Sequence, residues 1–171
     1  MRTVKVEELS VAKFLPFGYY ENYLASTREK FVLGIGGAIE FFPDLVQQDL
    51  GGVSIASFSA LRVAPRELRI DVTEYHTKAA EVILPLDSDL LMHVGPATLP
   101  GRGVPLDKIR VFRVPRGTLV ALRPGVWHHA PFTVNNDVAN MLIVLPERIY
   151  ATDCEVAELS VADQIRIEMT A

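Results

Sequence analysis

The sequence predicts an all-β-dominated fold, a sandwich or barrel of largely antiparallel strands with one or two short helices at its periphery. Three observations carry this. β-branched residues dominate the middle of the chain, eleven glycines and eleven prolines cut it into short apolar or alternating runs, and no helical period of useful length separates those runs. Strands that follow one another without a helical crossover must return antiparallel. With 171 residues, 49% of them hydrophobic, the chain has the size and composition of one packed domain over 1–171.

The elements are expected in the following order. Val4 to Leu9 alternates like a half-buried strand. Ser10 then precedes Val11-Ala12-Lys13-Phe14 as an N-cap precedes a short helix, which Pro16 and Gly18 stop. Strands are predicted over 53–62, 68–76, 80–86, 89–95, 109–114, 118–123, 127–134 and 137–145. The intervening turn signals include Gly34 to Gly37, Gly51-Gly52, Leu86 to Asp89, the Gly- and Pro-rich 95–105 segment, Arg116-Gly117 and Pro124-Gly125. Ser160 to Met169 reads equally as a terminal helix or an arm.

Charge and composition exclude several classes of function. A formal charge of −4 with scattered Lys and Arg gives no basic stripe for nucleic acid. No apolar run is long enough for a membrane span or a signal peptide, and the single Cys154 cannot form an intramolecular disulfide. The expectation is a cytoplasmic protein acting on a small molecule. The apolar outer surfaces of such a barrel need covering, so a C2 homodimer is expected, with Val4–Leu9 adding to a partner's sheet.

Only four histidines are available for metal or proton chemistry: His76, His93, His128 and His129. A strand over 68–76 puts Glu74 and His76 on one face, and the next strand returns Glu81 to that face. In Gly125-Val126-Trp127-His128-His129 a tight Pro-Gly turn feeds a strand whose adjacent imidazoles point to opposite faces, with His128 taken as the interior one. His93, in an apolar strand, reads as a buried, hydrogen-bonded side chain, and Trp127 as a large amphipathic ring packed in the wall, with substrate contact as the lesser reading. Nothing near Cys154 lowers its pKa, which argues against a nucleophile.

These two segments resemble the paired motifs of the cupin superfamily. His76 and Glu81 fit the first motif, with Glu74 at its leading His position. Gly117 and His128 fit the second. A closer resemblance, over most of the chain, is to the ureidoglycolate lyase family, through Phe14 to Gly18, Arg62 to Arg66, Glu74-Tyr75-His76 with Glu81 and Pro85, Gly125 to His129, and Asp153 to Val156. It implies a cupin-type antiparallel β-barrel or jelly roll that cleaves (S)-ureidoglycolate into glyoxylate and urea in allantoin and purine catabolism. It also implies a divalent ion, Ni, Zn, Mn or Fe, on His76, Glu81 and His128, with Glu74 as base or fourth ligand; Glu74, His76 and His128 would be the catalytic set. Arg62 and Arg123 would clamp a substrate carboxylate through a planar fork, and Trp127 would line the substrate site. The chain departs from the family's usual pattern at Tyr75, Glu81, Arg123 and Phe41 to Asp44. A non-catalytic cupin that binds a small carboxylate or sugar-like ligand is the alternative, and another cupin reaction such as isomerisation or dioxygenation a third.

Overall fold

The computed structural model describes residues 2–99 and 101–169; Pro100 of the predicted 95–105 loop and the extreme ends of the predicted 1–171 domain lie outside them. The strands and helices are, in chain order, β1 (Arg2–Glu8), α1 (Val11–Phe14), β2 (Gly18–Asn22), β3 (Phe31–Leu33), β4 (Ile39–Phe41), β5 (Ala56–Val63), β6 (Arg69–Ile70), β7 (Val72–Tyr75), β8 (Glu81–Pro85), β9 (Leu90–Val94), β10 (Arg110–Val114), β11 (Thr118–Leu122), β12 (Phe132–Thr133), β13 (Ala139–Pro146), α2 (Ile149–Thr152), β14 (Glu155–Glu158) and β15 (Ile165–Glu168). No helix among the described residues is long and apolar enough to cross a membrane.

Two sheets face each other as a curled half-barrel. One has the strand order β12-β9-β10-β1-β15-β6, the other β2-β11-β8-β13-β5, and two-stranded ribbons β14-β7 and β3-β4 complete the set. Alternation decides which side chains meet between the sheets. Leu90, Met92 and Val94 of β9 and Phe112 and Val114 of β10 point inward to Ile83, Val120, Leu122, Met141 and Ile143, while Leu91 and Val111 point outward into a second cluster with Val6, Ile165 and Ile167. Phe14 and Phe17 close one end of the inner core. Phe14 stands edge-on to Phe112 with ring centroids 5.3 Å apart, and Gly18 lets the chain pass so close to β11 that an added Cβ would lie 1.9 Å from the Ala121 carbonyl oxygen.

The strands predicted between 53 and 145 correspond to β5 through β13, with two breaks. The 68–76 run divides into β6 and β7, and 127–134 contributes only the bridges Gly95–Trp127 and Glu74–His128 before β12, because the chain bends at Ala130-Pro131. Ser10 occupies the N-cap position of α1, yet its side chain makes no capping bond; its carbonyl accepts the Phe14 N–H at 2.9 Å.

Two expectations are corrected. Val4–Leu9 does not reach out to another molecule's sheet: β1 lies between β10 and β15 and is parallel to both, so its backbone groups are already paired. This makes the larger sheet mixed rather than purely antiparallel. The segment after Ser160 is neither helix nor free arm, since β15 pairs with β1 and β6. Ile165 and Ile167 are buried while Arg166 and Glu168 are exposed, the period of a strand.

The junction of β1 with β10 carries a charge cluster. Glu7 accepts both Nε and Nη2 of Arg110, at 2.8 and 2.6 Å, and lies 3.0 Å from Lys13 Nζ. Hydrogen bonding by Arg110 is the main reason the Glu7 carboxyl is lowered to about 2. Such a depressed carboxylate stabilises the fold fully above its unfolded value and stops doing so as the pH falls toward the folded one. Glu7→Gln should therefore reduce stability by about 1 kcal/mol at pH 7, a figure kept small because the group is partly solvated. The difference from wild type should shrink below pH 4.5 and disappear near pH 2, as read by urea denaturation across that range.

Candidate functional site

The site forms where β7, the start of β8 and the 126–128 segment converge. Glu74 N–H donates to the His128 carbonyl at 2.6 Å and His128 N–H to the Glu74 carbonyl at 2.8 Å, so one two-residue bridge holds two of the candidate side chains in fixed register. Period-two alternation then sorts the neighbours. Glu74 and His128 border a cavity of about 230 Å³ that is also lined by Glu81, His129, Leu61, Ile83 and Ile143. Tyr75 and Trp127 stand on the opposite side, ring centroids 4.5 Å apart. Gly125 makes the approach to His128 possible. Its φ of 81° lies in the left-handed region that glycine tolerates, and its N–H donates to the His76 carbonyl at 2.6 Å.

The hydrogen bonds define the imidazole tautomers. His76 Nδ1 lies 2.6 Å from the Asp153 carbonyl oxygen and His128 Nδ1 lies 2.8 Å from that of Val126. A carbonyl oxygen only accepts, so each Nδ1 carries a proton and each Nε2 is directed inward. Both Nε2 atoms meet one oxygen, Glu81 Oε2, at 3.2 and 2.9 Å. Ligand atoms of Glu74, His76 and His128 also lie within 4.8 Å of one another, so all four residues share one locus.

Charge follows from this geometry. Burial opposes ionisation of Glu81, but the two imidazoles, His128 foremost, overcome it and hold the carboxyl at about 2. Burial likewise opposes charging His76 and His128, and hydrogen bonding and attraction to Glu81 raise both above the ordinary histidine value. The donor set fits a divalent ion. It offers two inward Nε2 atoms whose outer nitrogens are tied to carbonyls, as metal-binding histidines require, together with carboxylate oxygen. Two ligands each about 2.1 Å from an ion lie roughly 3.0–3.4 Å apart at octahedral to tetrahedral angles, close to the Nε2–Oε2 separations here.

A supporting layer sits behind these groups. Thr73 Oγ1 donates to the His128 carbonyl at 3.1 Å, which leaves it as acceptor for His93 Nε2–H at 3.2 Å. His93 Nδ1 is buried with no partner among the described residues, and burial is the main cause of its pKa falling to about 3. His93 is thus the neutral, buried, hydrogen-bonded histidine that its apolar strand suggests. Asp153 is the larger surprise. Its carboxylate accepts Thr77 N–H at 2.8 Å, Thr77 Oγ1–H at 2.6 Å and Lys78 N–H at 2.7 Å, locking the turn after His76 against the chain that supplies the His76 carbonyl partner. Next to it, Cys154 donates to Glu74 Oε2 at 3.4 Å. Burial, reinforced by Glu74, pushes this thiol to about 12, so it stays protonated.

Three substrate-binding expectations fall away from the cavity. Arg62 follows Leu61 on β5 and so points to the opposite face of that strand, where its Nε donates to Asn140 Oδ1 at 2.9 Å. Arg123 donates to the Leu15 carbonyl and lies over the Tyr19 ring. Trp127 is 5% exposed, packs on Tyr75, and donates from Nε1 to Thr98 Oγ1 at 3.0 Å. Conversely, His129 was expected on the far face but borders the cavity, because the chain leaves strand geometry at Ala130. Arg66 stands at the same wall, donating to the Ala130 and Pro131 carbonyls at 2.6 and 2.9 Å with its guanidinium 3.9 Å from the Phe132 ring centroid.

The family model described as ureidoglycolate lyase matches residues 1–168. The chain belongs to the ureidoglycolate lyase family. Among curated relatives, a ureidoglycolate lyase of Burkholderia mallei is 28% identical over 172 residues, covering 90% of this chain and 95% of that protein. One of Azotobacter vinelandii is 27% identical over 141 residues, covering 80% and 81%. Among solved structures, Bacillus subtilis oxalate decarboxylase, studied for its Mn(II) centres, aligns with a TM-score of 0.42 at 14% identity over 61% of this chain and 24% of that one.

For this family member, two outcomes follow from the site. Binding an ion at the Nε2 atoms must displace protons that Glu81 holds there to higher pH than on free imidazole, so metal affinity should rise as pH increases through and above 6.5. Calorimetry of Zn or Ni uptake in two buffers of different ionisation enthalpy should detect the released protons. Separately, Asp153→Ala should weaken metal binding about 10- to 100-fold by loosening the turn after His76, with far-UV circular dichroism unchanged; an unaltered metal affinity would count against the clamp.

Proposed function

We propose that the chain, acting as a single domain, is a metal-dependent carbon–nitrogen lyase that releases urea and glyoxylate from (S)-ureidoglycolate. The observation that carries this reading is the convergence of two carbonyl-anchored imidazoles and two carboxylates at one locus beside the cavity, in a chain matched by the family along nearly its whole length.

His76, His128 and Glu81 would hold the ion, with Glu74 beside them. A bound divalent ion, Ni, Zn, Mn or Fe, supplies Lewis acidity that eases loss of the substrate's α-hydroxyl proton and attracts its carboxylate. Glu74 takes that hydroxyl proton. The oxygen's electron pair forms the carbonyl of glyoxylate, the carbon–nitrogen bond breaks, and the departing nitrogen keeps the bonding pair. Protonated Glu74 then returns the proton to that nitrogen, so urea leaves neutral and the carboxyl is restored. Leu61, Ile83 and Ile143 exclude bulk water from the reacting atoms. His129, which burial keeps mainly neutral by lowering its pKa, is a hydrogen-bonding wall group for the ureide.

The test is glyoxylate release by purified protein. Chelation should abolish turnover and one of the four ions should restore it. His76→Ala and His128→Ala should lose both metal and activity, while Glu74→Gln should lower kcat by about 10²- to 10⁴-fold at saturating ion. Absence of stoichiometric metal, together with unchanged activity in both histidine variants, would sink the proposal. Thermal stabilisation by glyoxylate without turnover would favour a carboxylate-binding protein instead.

A further inference from the structure

His129 lies in the cavity wall against the alternation that governs its neighbours. In an unbroken strand it would share the face of Trp127, which packs on Tyr75 away from the cavity. It borders the cavity beside His128 instead, so the backbone must turn between 128 and 132. Both ends of that span are fixed. The main chain of His128 is bonded twice to that of Glu74, and Phe132 is buried and paired with Leu91 of β9.

Arg66 sets the middle of the span. It comes from the loop between β5 and β6, and its guanidinium takes both carbonyls of the bend: Nη2 donates to Ala130 at 2.6 Å and Nη1 to Pro131 at 2.9 Å. Successive carbonyls of an extended strand point to opposite sides, so one planar fork reaches both only while the chain is turned. Pro131 has no N–H with which to hold the turn from within. The guanidinium also lies 3.9 Å from the Phe132 ring centroid, which ties the fork to a ring anchored in the sheet. Lysine, a point charge without a planar fork, cannot reproduce this set of contacts.

We infer that Arg66 is a positioning residue: its fork holds the Ala130–Pro131 bend that aims the His129 imidazole into the cavity, where His129 meets the ureide end of the substrate. The substrate contact rests on the lyase reading, whereas the aim of the ring does not. Arg66 is exposed, so water can solvate both carbonyls in its absence and the fold should survive its loss.

The experiment reads His129 with and without turnover. Diethyl pyrocarbonate at neutral pH, its adducts located by tandem mass spectrometry, should carbethoxylate His129 several-fold faster in Arg66→Ala and Arg66→Lys than in wild type, with far-UV circular dichroism unchanged. In glyoxylate release both variants should raise KM about 10-fold, the worth of one substrate hydrogen bond, with kcat little changed. His129→Ala should raise KM to the same degree, and adding Arg66→Ala to it should cost nothing further. Faster modification in a protein without turnover would support the staple while counting against the lyase reading. Unchanged modification of His129 in both Arg66 variants, wild-type KM in Arg66→Lys, or additive losses in the double variant would overturn the inference.

Discussion

The structure is organised around a buried carboxylate. Glu81 is buried, with 8% of its surface exposed, and an ionised carboxylate there is tolerable only with opposite charge or a cation beside it. Two imidazoles answer that need, and they can do so only if both rings present Nε2. This requires a carbonyl oxygen behind each Nδ1, and the two carbonyls come from distant parts of the chain: Val126 after the Pro-Gly turn, and Asp153 after α2. A demand set by one side chain thus reaches three segments that are far apart in sequence, 76–81, 126–128 and 153.

The cavity balances its charge tightly. Its wall contains Glu74, Glu81, His128 and His129 among aliphatic side chains, with no lysine or arginine among the described lining residues. Arg66 is nearby, but its guanidinium is hydrogen-bonded to two main-chain carbonyls and stacked on Phe132. A cation held by the imidazoles would supply attraction for an anionic substrate, and loading of the site would then be coupled to recognition.

Most of the sheet framework was legible because alternation is a local signal: a strand buried on one face announces its period wherever it pairs. The shared face of Glu74 and His76, and the return of Glu81 to it, followed from the same period. What escaped depended on tertiary neighbours. The parallel insertion of β1 between β10 and β15 has no local signature, since Val4–Leu9 reads identically in a centre or at an edge. Arg62 looked like a ligand clamp until Leu61 took the cavity side of β5. His129 seemed to face outward until the bend at Ala130 turned it back. Asp153 carried a visible motif resemblance but no visible task, because its partners at 77 and 78 lie 75 or more positions away.

The threading of β1 orders how the chain assembles. β1 is made before the other described strands, yet its neighbours on either side are β10, more than a hundred residues later, and β15, later still. Pairings of such sequence separation form slowly, because loop closure must be accomplished before contacts can reward it. Until β15 emerges, the flank of β1 that receives it stays open and the outer cluster of Val6, Leu91 and Val111 lacks Ile165 and Ile167. The last strand therefore acts as a latch that closes the larger sheet, and a chain halted before it would present a sticky, unfinished edge.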